Sequence, residues 1–508
     1  MYSRVRSAVC IGMEGREVFV ETDIARGLPG IGMVGLPSTM VMESRERIKS
    51  AIINSGYDFP RGRITVNLTP ASFRKDSSCL DLPIAAGLLA SGGTIFTEVS
   101  SEWGLIGELS LDGRVLGVDG ALPMIIQMKK AGIKGIIIPE ENREEAAIAG
   151  GNIFIVRTLS ECVSLLEQDP GSGDLKGKGC DSILASFTDR EEYIGPDFGD
   201  IAGQEHAKRA MVIAAAGRHG LLMTGSPGCG KTMLASRLPG IMPAMNMKEM
   251  TETAMVRSIT GHSSVRLDEC RIRPFRSPHH TIGRAGLIGG GLYPRPGEIT
   301  FAHNGVLFLD EICEFDKNTI ECLRIPMEEK KITHFRKGEA YTYPCNFQVL
   351  MAANPCPCGY LGDEEHECSC TAADLIRYKR KLSGPIMDRI DMNISMKRVR
   401  YMELTGERRG LDSKTMSEQV RSAVRFAREC GRHTYNADLS EQELDCFCSL
   451  GNKESEFMES AYNRLSMSPR SYKRILKVSR TIADLAASDR IGTEHIAEAL
   501  NYRLNEQV

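Results

Sequence analysis

The sequence predicts an α/β protein of several domains, organised around a phosphate-binding loop and ending in a helical segment. Three observations carry that expectation. Gly225-Ser226-Pro227-Gly228-Cys229-Gly230-Lys231-Thr232 reads G-x-x-x-x-G-K-T, directly behind the apolar run 221–224 and ahead of a helix-compatible segment, 233–238. That order of strand, glycine loop and helix is what a phosphate-binding loop needs. A second apolar run, 306–309, delivers two acids, Asp310 and Glu311. Strand-like β-branched runs and helix-compatible stretches share the chain up to about residue 400, after which the reading is helical.

The bulk numbers bound the classes. A chain of 508 residues exceeds one core, so two to four domains are expected. Hydrophobic residues make up 42% and charged residues 25%, the balance of an ordinary globular protein. The net charge of −3 gives no global basic field, so a nucleic-acid surface would have to be local. Residues 1–30 lack the continuous apolar core of a signal peptide, and no apolar run reaches the roughly 20 residues of a membrane span. The 16 cysteines are mostly scattered singly, as at Cys10, Cys162, Cys229 and Cys313, a pattern expected of reduced thiols in a cytoplasmic protein with no membrane partner.

Residues 1–168 read as a first domain, with strands at 18–20, 63–68 and 134–139 and helices at 81–90 and 121–131. The stretches 107–116, 120–123 and 130–142 resemble the proteolytic domain of Lon and the related non-proteolytic domain of RadA. Lon-type proteases use a serine activated by a lysine. Aligned on 81–86 the serine position holds Ile84, and aligned on 120–123 the lysine position holds Pro123. Neither side chain has nucleophile or base chemistry, and Ser77 and Ser78 nearby read as loop residues. The resemblance therefore implies a Lon-like fold without peptidase activity, serving as a scaffold or a DNA-contacting platform. Residues 169–197, rich in Gly and charge at their start, read as a flexible linker.

Residues 198–400 carry the chemistry. Gly225, Gly228 and Gly230 let the backbone turn and point N–H groups at phosphate oxygens, helped by the dipole of the following helix. Lys231 would reach the β- and γ-phosphates of ATP, and the Thr232 hydroxyl and Asp310 would hold Mg²⁺. Glu311 would polarise the attacking water. The segment 198–204, with Gly203 and Gln204, resembles the adenine-side segment of AAA+ ATPases. The apolar run ending in Asn354 resembles the sensor-1 strand, and 383–391 resembles an arginine-finger segment in which Arg389 would reach a neighbouring subunit's nucleotide. The bland alternative for Arg389 is an ion pair with Asp388 or Asp391.

Two insertions interrupt these parts. One concentrates Arg271, Arg273, Arg276 and Arg284; the other, a hairpin expected at 327–343, carries Arg336 and Lys337 at its turn. Their positions resemble the pore-loop insertions of the AAA+ branch that includes magnesium chelatases and MCM helicases. Such cations would grip phosphates without reading sequence, or else form solvated basic loops. Cys356, Cys358, Cys368 and Cys370 form two C-x-C pairs nine residues apart, with His366 as a substitute ligand. Four thiolates closing a short loop suit a structural Zn²⁺; a redox pair or four ordinary thiols is the alternative.

Residues 401–508 read as a helical lid. Val420, Val424 and Ala427 share one face; Ser468 and Pro469 start a helix whose stripe is Ile475, Val478, Ile482 and Leu485. Arg470 in its first turn resembles sensor 2, an arginine that contacts nucleotide phosphates, against the alternative of a solvated side chain. Together with His279-His280 and the 481–485 segment, the arrangement is similar to the YifB/ComM family of magnesium-chelatase-like AAA+ ATPases over nearly the whole chain. That resemblance implies an ATP-dependent homohexameric ring and, for the ComM members, branch migration of single-stranded or branched DNA during recombination of transforming DNA. A chelatase-type ATPase that remodels a protein partner is the competing expectation.

Overall fold

The structure, a computed structural model, describes residues 2–75, 77–95, 102–168, 195–261, 266–292, 294–336, 338–363, 365–381, 384–399 and 410–503. Of the linker expected at 169–197, only 195–197 are among them. The chain forms two compact units. One combines residues 1–191 with 246–271 and 335–342, and the other combines 192–245, 272–334 and 343–508.

The first unit is built on a seven-stranded mixed sheet. β1 (Tyr2–Ile11) and β2 (Glu14–Ala25) form an antiparallel hairpin, from Tyr2 opposite Asp23 to Ile11 opposite Glu14. Gly12 turns it at φ +62, a conformation glycine adopts without strain. β3 (Gly30–Val34) and β4 (Arg63–Thr69) continue the sheet beyond β2. Beyond β1 comes β5 (Trp103–Leu105); β6 (Glu108–Leu109) and β7 (Val115–Leu116) make a small separate ladder; β8 (Gly135–Pro139) and β9 (Ile153–Val156) complete the parallel side. The helix Asp81–Ser91 is buried at every position, as its almost unbroken apolar sequence requires. Ile84 and Pro123 are both core side chains. Ser77 accepts a hydrogen bond from the Cys79 N–H at 3.2 Å, and the Ser78 hydroxyl donates to Glu108, so both serines have structural partners.

Two segments far along the sequence join this unit. The helix Met247–Ser258 is fixed by a capping box on Asn246. Its Ser258 carbonyl accepts from the Gly120 N–H at 2.8 Å, and Ser258 Oγ accepts from Leu122 at 3.3 Å. Leu122, Ile148, Ala254 and Cys270 close a small apolar cluster around it. From the hairpin, Glu339 pairs with Arg16 at 3.0 Å.

The second unit holds a five-stranded parallel sheet: β10 (Leu221–Gly225), β11 (Phe275–Arg276) and β12 (Val306–Leu309), then β15 (Gln348–Ala353) and β16 (Met392–Met396). Between β12 and β15 in sequence, β13 (Lys331–Arg336) and β14 (Glu339–Pro344) pair as a separate hairpin. It starts later than the sequence suggests, because residues 327–329 finish the helix Arg324–Glu329. The order across the sheet is β11-β12-β15-β10-β16. β12 and β15 are buried at every position, and they read as continuous apolar runs because helices cover both faces.

The lid follows with helices Ser413–Glu429, Glu441–Phe447, Asn452–Arg464, Pro469–Leu485 and Thr493–Asn501. Ser468 caps the fourth by accepting from the Ser471 N–H at 3.2 Å, with Pro469 in its first turn. The expected stripe of Ile475, Val478 and Ile482 is buried, with Leu485 at its margin. The same helix also buries Arg474, Arg480 and Asp484. Arg432 and Arg480 both pair with Asp484, and Thr481 accepts or donates at 2.7 Å to His219, whose other nitrogen lies 3.2 Å from Asp391. These charged residues join the lid to the start of β16.

The first insertion differs from its expected role most plainly at Arg273. Arg273 is 3% exposed, so it cannot touch DNA. Its Nε donates to the Pro243 carbonyl at 2.7 Å and its Nη1 to the Asn304 carbonyl at 2.6 Å. It is an internal strut of the loop rather than part of its surface. Arg273→Met should therefore cost stability, about 1–3 kcal/mol for the two carbonyls left without a donor. A thermal melt should show the transition lowered by several degrees. An unchanged melt would show that these contacts carry no stability.

Candidate functional site

Because the five strands run parallel, the loops after β10, β12 and β15 meet at one edge of the sheet. The phosphate-binding loop leaves β10 at Gly225, where a Cβ would stand 2.6 Å from the Met396 carbonyl. Gly228 and Gly230 take φ +79 and +91, so both need glycine. The helix Lys231–Ile241 begins with no side chain capping it, which leaves its first N–H groups to an anion.

Four of the expected residues meet there. Lys231 donates to the carbonyls of Gly225 at 2.6 Å and Ser226 at 3.2 Å, and to Asn354 Oδ1 at 3.2 Å. The Thr232 hydroxyl donates to Asp310 Oδ2 at 2.7 Å. The lysine, the hydroxyl, the acid and the sensor amide are thus within reach of one phosphate chain and its cation. Glu311 follows at φ +49, a strained backbone for a residue with a side chain, and its N–H donates to Asp310 Oδ1 at 2.9 Å. Its carboxylate lies 3.6 Å from His280 Nδ1, and the His280 ring packs on His279 with centroids 4.1 Å apart. His280 is a contact the sequence reading missed; the paired histidines in the insertion were the available signal.

Gln204 braces the same edge. Its Nε2 donates to the Cys229 carbonyl at 3.2 Å and to the Lys397 carbonyl at 2.6 Å, while Gly203 turns at φ +62 just before it.

Arg389 and Arg470 sit elsewhere. Both line a cavity of about 340 Å³ with Arg218, Lys473, Arg474 and Lys477. Gly220, Gln348 and Asp391, at the starts of β10, β15 and β16, line it too. A five-residue strand spans about 16 Å, so this cavity lies a sheet's width from Lys231. Arg389 pairs with Glu328 rather than with Asp388 or Asp391. Arg470 lies 3.6 Å from Glu328 and 3.7 Å from Asp388. Burial pulls Arg474 down to about 10 in this crowd of cations. Arg389 and Arg470 thus lie toward the edge of the sheet opposite Lys231.

The remaining basic candidates are divided between the two units. Arg271 and Arg336 fall in the first unit, and Arg273, Arg276 and Arg284 in the second. Arg276 is neutralised by Glu298, at 2.7 and 2.8 Å, and stacks over Phe301. Arg284 and Arg336 are exposed, the latter beside Phe335, which is 72% exposed. Lys337 lies outside the described residues.

The four cysteines converge. All four Sγ atoms lie within 4.8 Å of one another, with separations of 3.3, 3.5 and 3.6 Å among Cys356, Cys358 and Cys368. Thiolates about 2.3 Å from a tetrahedral zinc would stand about 3.8 Å apart, so the set fits that ion. The loop also carries Asp363, whose hydrogen bonds, first that from the Ser226 hydroxyl, hold it down to about 2. In the sequence Asp363 is one of a run of acids with nothing to set it apart.

Known proteins match this arrangement along its length. The family described as magnesium chelatase, subunit ChlI, matches residues 197–404; subunit ChlI of Mg-chelatase matches 20–142; and the ChlI C-terminal family matches 410–503. "Uncharacterized protein YifB" of Escherichia coli (strain K12) is 38% identical over 509 residues, 99% of this chain and 97% of its own. "Competence protein ComM" of Haemophilus influenzae is 38% identical over 507 residues, 98% of this chain and 97% of its own. A Lon protease of Leptospira interrogans is 29% identical over 131 residues, 25% of this chain and 15% of its own. Among the described residues no helix is long and apolar enough to cross a membrane. The family implies ATPase activity with ATP and Mg²⁺. The chain belongs to the YifB/ComM family of magnesium-chelatase-like AAA+ ATPases.

Proposed function

We propose that this chain is an ATP-hydrolysing motor that works as a homohexameric ring on DNA, a branch-migration or helicase-like translocase in recombination or transformation. The observation that carries the ring is the split site. The loop that binds phosphate and the arginines that would stabilise its transition state lie on opposite edges of one sheet. A second subunit must bring the arginines to the phosphates. The name of the Haemophilus relative supports a role in competence, and the exposed Arg284, Phe335 and Arg336 supply chemistry for gripping a strand.

Lys231 would exchange its carbonyl partners for the β- and γ-phosphate oxygens. Mg²⁺, held by Thr232 and Asp310, would neutralise charge on those phosphates. Glu311 would take the proton of the attacking water, with Asn354 orienting it. Arg389 and Arg470 of the neighbouring subunit would stabilise charge on the transferred group. In the first unit, Ile84 and Pro123 fill the positions where a Lon-type serine and lysine would stand, so we assign that unit no peptidase role. Cys356, Cys358, Cys368 and Cys370 would hold one structural Zn²⁺.

Lys231→Ala should abolish turnover. Glu311→Gln should bind ATP yet hydrolyse it about 10²–10⁴-fold more slowly; wild-type turnover in that variant removes Glu311 as the base. Arg389→Ala and Arg470→Ala should each be nearly inactive alone but regain turnover when mixed with Lys231→Ala, because mixed rings contain interfaces with both halves intact. Absence of recovery after verified subunit exchange rules out completion in trans.

The test of the DNA reading is the ATPase rate with and without single-stranded, duplex and forked DNA. Stimulation by DNA is expected, with affinity that falls steeply with salt. Replacing Arg284 and Arg336 by Ala should flatten the log–log salt slope by about 1.4 on single strands, two contacts at about 0.7 each. If no DNA binds in the presence of a non-hydrolysable ATP analogue at low salt, the protein-remodelling reading replaces this one.

A further inference from the structure

The four-cysteine loop is placed to act on the nucleotide site. It leaves β15 just after Asn354, and Cys356, two residues on, is fully buried. Asn354 in turn accepts from Lys231 at 3.2 Å. The thiol cluster therefore stands directly behind the sensor amide.

The far side of the same loop rests on the phosphate-binding loop. At Gly359, φ +89, a Cβ would come 2.8 Å from Pro227 Cδ, so only glycine lets the two loops meet. The Asp363 side chain is 3% exposed. It accepts from the N–H groups of Glu365 at 3.0 Å and His366 at 3.1 Å, and the Ser226 hydroxyl beside it is the largest of the influences that hold its carboxyl down to about 2. Ser226 is itself 8% exposed. The loop is anchored outward as well, where Arg398 pairs with Glu365 at 2.9 Å and Tyr360 stacks on His366 at 4.8 Å.

Such a loop cannot order itself. Most of residues 357–370 are exposed or half-buried, and they contribute little apolar surface to set against the entropy of fixing the backbone, about 1–2 kcal/mol per residue. A metal on four thiolates supplies what apolar packing does not.

We propose that a zinc ion on Cys356, Cys358, Cys368 and Cys370 turns this loop into a brace for the phosphate-binding loop, with Asp363 as the positioning residue that holds Ser226, so that metal content sets ATP affinity. This rests on the zinc reading above and adds a consequence to it. With the metal bound, Ser226 and Pro227 are held in place before nucleotide arrives. Without it, part of the binding energy goes into ordering the loop, and affinity falls.

The experiment uses the full-length protein and three readouts: zinc per chain by elemental mass spectrometry, Kd for a fluorescent Mg·ATP analogue, and KM and kcat for ATP. Wild-type protein should carry one zinc. Cys368→Ser with Cys370→Ser should lose it, with Kd raised about tenfold, which is about 1.4 kcal/mol. Asp363→Ala should keep its zinc yet raise Kd and KM about tenfold with kcat within about threefold, and it tests the brace even if the cysteine variant unfolds. Asp363→Asn, whose amide oxygen still accepts from Ser226, should recover most of the affinity. Adding Ser226→Ala to Asp363→Ala should cost nothing further, because both remove one bond. One zinc per wild-type chain, lost in the cysteine variant, with Kd unchanged in both the cysteine and the Asp363 variants, overturns the brace and leaves the metal site standing. A zinc-free wild-type protein of full affinity overturns the metal reading and the brace with it.

Discussion

The parallel direction of five strands is the constraint on which the second unit depends. In a parallel sheet every strand ends at the same edge, and β10, β12 and β15 deliver Lys231, Asp310 and Asn354 to it side by side. The opposite edge receives whatever precedes the strands, and here that is Arg389 ahead of β16. The lid adds Arg470 to the arginine edge, held near Asp388 and Glu328. On the proposed reading, one subunit carries both halves of a phosphoryl-transfer site at opposite edges of its sheet. The buried chain His219–Asp391–Arg474, with Thr481 on the other side of His219, ties the lid to that edge.

The chemistry of the loop was legible because it is local. A glycine at φ +79 or +91 and a lysine at a helix start are requirements of a few consecutive residues, and apolar runs such as those of β12 and β15 announce buried parallel strands. Ser468 and Pro469 signalled a helix start for the same reason. What the sequence hid is what depends on the other end of a side chain. Arg273 and Arg276 look alike in a basic stretch, yet one donates to two buried carbonyls and the other is spent on Glu298. Arg480 and Asp484, charged residues between the stripe positions, are core. Residues 246–271 and 335–342 follow motor motifs in the chain but pack with the first unit through Ser258 and Glu339.

Asp363 shows the same limit from the side of function. Within a run of acids it has no distinguishing neighbour, and only its burial against Ser226 separates it from Glu365 and Glu367, which are exposed. The four cysteines were visible as a pattern, but their nearness to the phosphate-binding loop was not, because Gly359 and Pro227 are more than a hundred residues apart. Loops that close on a metal make such long-range seats cheaply, since each thiolate replaces apolar area that a short loop does not have.

On the proposed function, hydrolysis requires two subunits. The most direct measurement is ATPase turnover per chain as protein is diluted, with the mass of the assembly followed over the same range. If the site is completed across an interface, turnover per chain should fall in step with the loss of rings and approach zero for the isolated chain. Constant turnover per chain at concentrations where only monomer is present would contradict the account, because it would mean that Lys231 and Glu311 hydrolyse ATP without Arg389 and Arg470 of a neighbour.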